Sequence, residues 1–333
     1  MTTIRDVARE AGVSVATVSR VLNGKGYVNL ETEARVREVI RELDYRPNSV
    51  ARSLTSRKTG TIAVILPDIM NPFFSELARA VEDTARSRGF TVIICNSDDL
   101  DVREKSYIKV LHQKYIDGII FASSTLGEED LEYMIRHHIP LVVLDRAPGQ
   151  GGCSVIRSKN AEGAKLAVQH LLDSGCRKIA HIAGPQELIT ARERLKGYRE
   201  MVEGRPWFEE SLIVPGHFSI AGGKGAVQAL LEFHPDLDGI FAGNDLMAVG
   251  ALKALHRMGV KVPEEVSLCG FDGVGAAEWT EPELTTIAQP IYEIGARAAL
   301  HLIDRVQEKT DELVDLELDI HLIQRHSTRR RRN

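Results

Sequence analysis

Asp68, the run Asn71-Pro72-Phe73-Phe74, the pair Asp145-Arg146, Arg194, the pair Asn244-Asp245, the pair Phe271-Asp272 and Gln289 share one placement. Each lies past the carboxyl end of a short apolar run. Together they have the chemistry to hold a small sugar. Carboxylates and Asn exchange hydrogen bonds with hydroxyls, Arg donates through a rigid fork, and Phe rings cover the apolar face of a pyranose or furanose. No Ser-His-Asp or paired-acid constellation accompanies them, so binding is expected rather than catalysis. The eleven histidines are scattered without ligand spacing, which gives no metal site. Gly273–Glu278 (GVGAAE) lacks the third glycine of a dinucleotide fingerprint, and Gly222–Ala226 (GGKGA) lacks the Ser/Thr of a phosphate loop. No cofactor is expected.

The elements that must position this set begin at Thr61. TIAVIL, TVIIC, DGIIFA, PLVVL, KIAHIA, DGIFA and VSLCGF alternate with amphipathic helical segments. Continuous apolar runs of this kind are strands buried on both faces, hence parallel sheets in βαβ units. They suffice for two sheets of about five or six strands each. Thr61–Asp145 and Lys178–Asp272 repeat the same strand–helix order, so the core reads as two doubly wound lobes with three crossovers. TTIAQPIYEIGARAALHLIDRV is read as a strand and helix returning to the first lobe. Open sheets of this type bind ligands at the carboxyl ends of their strands, where the polar set falls.

The first 45 residues follow another plan. Ile4, Val7, Ala8 and Ala11 fall at helical spacing, Gly12 ends that pattern, and Ser14 can cap a second helix. Val18, Val21 and Leu22 of that helix point inward, leaving Val15, Ala16, Ser19 and Arg20 on the opposite side. Two helices joined by a tight Gly turn form a helix-turn-helix, whose second helix fits the major groove of DNA. A third helix from about Leu30 to Leu43 closes the core with Val36, Val39, Ile40 and Leu43. In DYRPNSVARSLTSRKTG, Pro47 stops the third helix, and Asn48 or Ser49 can cap a short one carrying Val50, Ala51 and Leu54 on one face. So short a helix is marginal alone and is expected to order only against DNA or a second copy.

Charge follows this division. Residues 1–60 carry 11 Lys/Arg against 7 Asp/Glu, a net of +4 on a chain of −5, which leaves −9 for the rest. A basic head on an acidic body suits a protein that meets phosphates at one end. Cys95, Cys153, Cys176 and Cys269 show no C-x-x-C spacing and read as reduced core residues. No apolar run reaches the ~18 residues of a membrane span, and the N-terminus lacks a secretory layout, so a cytoplasmic protein is expected. The terminal Arg329–Arg332 run reads as a solvated tail, Arg192 as a helix cap or interlobe ion pair, and His137-His138 as a helix end.

TIRDVAREAGVSVATVSRVLNG, YRPNSVARSL and the later GFDG resemble the LacI/GalR repressors, and the likeness spans almost the whole chain. It implies a headpiece over residues 1–45, a hinge helix and linker over 46–60, and an effector-binding and dimerisation core over 61–333. The core would be like periplasmic binding proteins, with lobe 1 at about 61–160 and 290–320 and lobe 2 at about 161–289 and 321–333. By that resemblance Val15, Ala16 and Arg20 read bases, Thr17, Ser19, Asn23 and Asn48 contribute to the DNA contact, and Leu54 wedges into the minor groove. The strand-end set also resembles, position by position, the contacts of ribose-binding proteins. Asn71, Phe73, Phe74, Asp145, Arg146, Arg194, Asn244, Phe271, Asp272 and Gln289 then hold the effector. One departure is Ser158-Lys159-Asn160, where the family more often has Asp-Asn; that lysine is placed to alter the lobe interface or the pocket rim.

The resemblance implies a homodimeric repressor on a near-palindromic operator, controlled by ribose as inducer. Its alternatives are a different effector or a protein corepressor, as in the family's catabolite control proteins. The core alone would also suit a transporter's binding protein. The headpiece, the hinge and the missing signal peptide argue against that last reading.

Overall fold

The computed structural model describes residues 2–23, 26–45, 58–122, 127–144 and 152–329. The chain divides into two units, Met1–Thr59 and Gly60–Asn333. In the first, α1 (Ile4–Glu10) starts at Thr3, whose hydroxyl accepts from the Asp6 amide while the Asp6 carboxylate accepts from the Thr3 amide. That reciprocal pair satisfies donors the helix itself leaves open. Gly12, at φ +63°, makes the left-handed turn into α2 (Val15–Asn23), capped by Ser14 Oγ on the Thr17 amide at 3.1 Å. α3 (Leu30–Glu42) is capped by Asn29. Val7, Ala8, Ala11, Val18, Val21, Val36 and Val39 form the buried core, with Leu22, Ile40 and Leu43 packed at its edge. The linker following Tyr45, with Asn48 and Leu54, lies outside the described residues.

The second unit holds two six-stranded sheets. The first is built from β1 (Thr61–Leu66), β2 (Thr91–Asn96), β3 (Gly118–Phe121), β4 (Leu141–Leu144), β5 (Ser154–Ser158) and β11 (Asp315–Leu318), ordered β11-β5-β4-β3-β1-β2 and parallel throughout. The second uses β6 (Ile179–Ala183), β7 (Ile213–Pro215), β8 (Gly239–Ala242), β9 (Ser267–Asp272), β10 (Thr285–Ala288) and β12 (His321–Ile323), ordered β12-β10-β9-β8-β6-β7. Among the described residues, only β12 runs antiparallel in it. Helices α4 (Pro72–Ser87), α5 (Asp101–Gln113), α6 (Glu128–Arg136) and α11 (Ile291–Val306) cover the first sheet. The second is covered by α7 (Asn160–Asp173), α8 (Ile189–Val202), α9 (Ile220–Phe233) and α10 (Asp245–Arg257). Ile62, Val64, Ile120, Val142 and Leu144 are fully buried at the centre of one lobe, and Ala180, Ile182, Ile240 and Leu268 at the centre of the other. Burial on both faces explains their unbroken apolar runs.

The chain passes between lobes three times, at 158–160, 288–291 and 318–321. TTIA does not return to the first lobe. Its four residues are buried beside β9 in the second sheet, and only the helix that follows belongs to the first. Lys159, on the first crossing, pairs with Asp319 on the third at 2.6 Å. Arg329 is no solvated tail either: its guanidinium donates to the carbonyls of Pro263 and Glu265 at 3.1 and 2.7 Å. Arg192 Nη1 clamps the loop before α8 by donating to the carbonyls of Gln186 and Glu187, both at 2.9 Å. His137 caps α6, and all four cysteines are buried and free. No helix among the described residues is long and apolar enough to cross a membrane.

Candidate ligand site and DNA-binding helix

Arg194 is the centre of the candidate site. It sits one turn into α8 with 4% of its surface exposed, and its guanidinium lies over the Phe271 ring, 3.9 Å from the centroid. Nε donates to Asn160 Oδ1 at 2.9 Å, and Nη1 donates to the Gly243 carbonyl at 2.6 Å and to Asp272 Oδ1 at 3.2 Å. Gln289 Nε2 donates to the same Asp272 oxygen at 2.8 Å, while its backbone amide donates to the Asp272 carbonyl. A buried ion pair holds only when further hydrogen bonds complete both partners, which Asn160, Gly243 and Gln289 do here.

The site therefore draws on the ends of β8, β9 and β10, the start of α8, and the first lobe crossing. Gln289 Oε1 and Ser158 Oγ are buried and make no hydrogen bond among the described residues. Polar atoms so placed are acceptors and donors that a hydroxylated ligand can satisfy. Asn244 caps α10 by accepting from the Met247 amide at 2.9 Å, and its Nδ2 faces the Phe218 carbonyl at 3.4 Å.

Of the sequence-derived set, Arg194, Phe271, Asp272 and Gln289 are in direct contact, and Asn244 adjoins them through Gly243. Asn71, Phe73 and Phe74 stand at the start of α4, where Asn71 Oδ1 accepts from the Phe73 amide at 3.1 Å. The two rings meet edge to face at 5.1 Å and share an apolar cluster with Val274 and Ala276, which follow Asp272 in the chain. Asp145 and Arg146 lie outside the described residues. Phe271 is placed differently from a ligand-covering ring. It is fully buried, against Gly163 on one side and under Arg194 on the other, so it supports the guanidinium.

Asn160 and Phe218 belong to the site without being picked out by the sequence, and Asp245, which the sequence does pick out, has a role it does not reveal. Asn160 orients Arg194 and ties it to Glu193 through Nδ2 at 3.2 Å. Phe218, half-buried, places its ring 5.8 Å from the Arg194 guanidinium and against Gly184. Asp245 is fully buried beneath the turn that carries Asp272. Asn160 stands at a crossover and Phe218 after β7, a strand of three residues, where no long apolar run points to a strand end.

On the headpiece, Val15, Ala16 and Arg20 are exposed on α2, and Thr17 and Ser19 are half-buried beside them. Asn23 is the last residue of that helix. The aliphatic stem of Arg20 passes over Gly26, where a β-carbon would come within 3.5 Å. This is the exposed face of the second helix in a helix-turn-helix, the face such folds place in the major groove.

A major-groove helix and a two-lobed core with a buried polar cluster at its strand ends define a ligand-responsive DNA-binding protein. Two family models cover most of the chain: bacterial regulatory proteins of the lacI family over residues 3–48, and periplasmic binding proteins and sugar binding domain of the LacI family over residues 59–326. The ribose operon repressor of Halalkalibacterium halodurans is 45% identical over 329 residues, spanning 99% of this chain and 98% of that protein. A LacI family transcriptional regulator from Enterococcus faecium, solved with bound ribose, is 33% identical with a TM-score of 0.74, covering 81% of this chain and 98% of that one. The lac repressor dimer bound to operator and the anti-inducer ONPF matches at a TM-score of 0.88 and 26% identity over 99% of both chains. The chain belongs to the LacI family of bacterial regulatory proteins.

Proposed function

We propose that this protein is a cytoplasmic, homodimeric transcriptional repressor that holds a near-palindromic operator and releases it when ribose binds between the lobes of its core. The observation that carries the reading is the buried Arg194–Asp272–Gln289 cluster. It combines a rigid donor fork, an acceptor and an amide at the carboxyl ends of neighbouring strands, the arrangement a pentose with several hydroxyls requires. The ribose in the Enterococcus faecium regulator and the name of the Halalkalibacterium halodurans relative support ribose as the sugar.

In this reading Asn71, Asn244, Asp145 and Arg146 complete the hydroxyl contacts, and Phe73 and Phe74 face the sugar from the first lobe. Phe271 acts beneath Arg194. Val15, Ala16 and Arg20 read base edges, with Thr17, Ser19, Asn23 and Asn48 fixing the helix on the duplex and Leu54 entering the minor groove. The protein works by binding alone, with no catalytic step and no cofactor.

A sugar held by both lobes favours the lobe arrangement that satisfies both sets of contacts. It changes operator affinity only through its different affinities for the two arrangements. Titrating ribose into a preformed protein–operator complex, followed by fluorescence anisotropy, is expected to weaken DNA binding by a coupling of about 1–3 kcal/mol. By reciprocity, operator DNA weakens ribose binding by the same factor. Tighter DNA binding would make ribose a corepressor, and no response would assign the site to another effector.

A further inference from the structure

We propose that Asp245, which does not itself face the ligand cluster, is the positioning residue that fixes Asn244, Asp272 and Gln289 in register with one another. The proposal rests on the reading of this cluster as the effector site. Asp245 is fully buried at the first position of α10, next to Asn244. Its Oδ2 accepts from the amides of Gly273 and Val274, both at 2.9 Å, and its Oδ1 accepts from Thr286 Oγ1 at 2.6 Å. One carboxyl group thereby joins α10 to the turn after β9 and to the middle of β10. Each of those three elements delivers one polar residue of the site: Asn244 from α10, Asp272 from the turn, and Gln289 from the end of β10.

The turn needs such a tie. Asp272 lies at φ +116° and Gly273 at φ +78°, a backbone course that L side chains rarely follow. Gly273 also passes so close to β10 that a β-carbon there would stand 2.6 Å from that of Ala288. The conformation persists because the two amides that follow Asp272 end on one buried carboxyl. Val274, the second of these amides, places its side chain in the apolar cluster of the first lobe, which also holds Phe73 and Leu77. Asp245 therefore anchors in one lobe a turn whose tip packs in the other.

Burial and the neighbouring Asp272 charge push Asp245 up to about 8, which favours the neutral acid. The neutral acid still accepts both amides on one oxygen, its Oδ2. An asparagine can copy that pattern; an alanine cannot.

The test compares Asp245→Asn, Asp245→Ala and Thr286→Val by amide hydrogen exchange across Phe271–Ala276 in the free protein and by calorimetric titration with ribose. Asp245→Ala is expected to speed exchange at Gly273 and Val274 and to weaken ribose binding, each about tenfold or more, because two amides, one part-buried and one buried, lose their acceptor. Asp245→Asn should stay within about threefold of the parent on both readouts, a rescue that distinguishes the hydrogen-bond pattern from the charge. Thr286→Val keeps the shape of the core and removes one contact of three, so it reports on the tie should the alanine variant fail to fold. Its ribose affinity is expected to drop about threefold or more. Unchanged exchange in Asp245→Ala overturns the proposal. So does an Asp245→Ala or Thr286→Val protein that binds ribose as the parent does. A parent protein that binds no ribose overturns the choice of effector instead, and the exchange measurements still decide the role of Asp245.

Discussion

Arg194 lies over Phe271, its guanidinium carbon 3.9 Å from the ring centroid, in a position where both side chains are buried. A desolvated cation over an aromatic face gains about 2 kcal/mol. The ring also fills the space between Arg194 and Gly163, so it sets the height at which the donor fork stands. Phe271→Leu keeps an apolar side chain but loses the face. Ribose affinity is expected to fall roughly tenfold to thirtyfold in a calorimetric titration, in line with that energy. An unchanged dissociation constant would leave Phe271 a core residue and nothing more.

Asp272 answers to two demands, holding Arg194 and meeting the sugar. Removing it leaves the guanidinium buried without its counter-charge, which is destabilising by about 3–5 kcal/mol. Asp272→Ala is thus expected to lose stability in denaturant titration along with nearly all ribose binding, since a site built for hydroxyls is severely weakened by unpaired groups. Asp272→Asn is the cleaner probe. Asparagine tolerates positive φ, so the turn at +116° is kept while the charge is lost. A folded Asp272→Asn protein that binds ribose at the parent's affinity would remove the carboxylate from the site.

The parts of this site that are legible in the sequence are those a local rule predicts. Asp272 and Asn244 were legible because an apolar run ends just before each, and parallel sheets bind ligands at such ends. The apolar runs predict about five or six strands in each sheet, but β5, β7, β11 and β12 are not marked by them. They are short, or interrupted by Arg157 in β5 and by Asp315 and Glu317 in β11, so no continuous run marks them. Asn160 is not marked as a site residue, and the role of Asp245 is not legible, because both act through partners distant in sequence, 34 positions away at Arg194 and 41 at Thr286. Phe271 was legible as an aromatic at a strand end, yet no pattern reveals that its ring turns beneath an arginine. Arg329 reads as one of a solvated run until β9 and the chain's last segment come together, with Ser327 Oγ donating to the Leu268 carbonyl at 2.6 Å.

The headpiece supports a separate prediction. Arg20 is exposed on α2 and long enough for a bidentate contact with guanine, whereas Val15 and Ala16 can offer only apolar contact such as to a thymine methyl. Arg20→Ala is expected to cost about 1–3 kcal/mol against the best operator and to relax preference at one guanine per half-site. Binding to an operator library across a salt series checks this. Uniform weakening on every sequence with a shallower salt slope would identify Arg20 as a phosphate contact.

The last prediction concerns acid. His181 lies in β6, stacked between Tyr198 and Phe241 with ring centroids 5.1 and 4.7 Å away, and its Nδ1 is 3.0 Å from the Phe241 carbonyl. That carbonyl can only accept, so Nδ1 carries a proton, while Nε2 is buried without a hydrogen-bond partner among the described residues, which disfavours a second proton and the charge it brings. Burial lowers the group to about 4 from its ordinary 6.5. The unfolded chain binds a proton in that interval and the folded one does not, so the contribution of His181 to stability is complete above pH 6.5 and is lost as pH falls toward 4. Over the whole interval the loss amounts to about 3 kcal/mol. Asp245 acts in the opposite sense, because its raised affinity for a proton favours the folded state as pH falls from 8. The measurement is therefore a difference: unfolding free energies of the parent and of His181→Asn, which keeps a donor for the Phe241 carbonyl and cannot titrate. The parent curve is expected to fall more steeply between pH 6.5 and 4, with the gap between the two changing by up to about 3 kcal/mol. Parallel curves would mean that His181 takes up its proton inside the folded lobe.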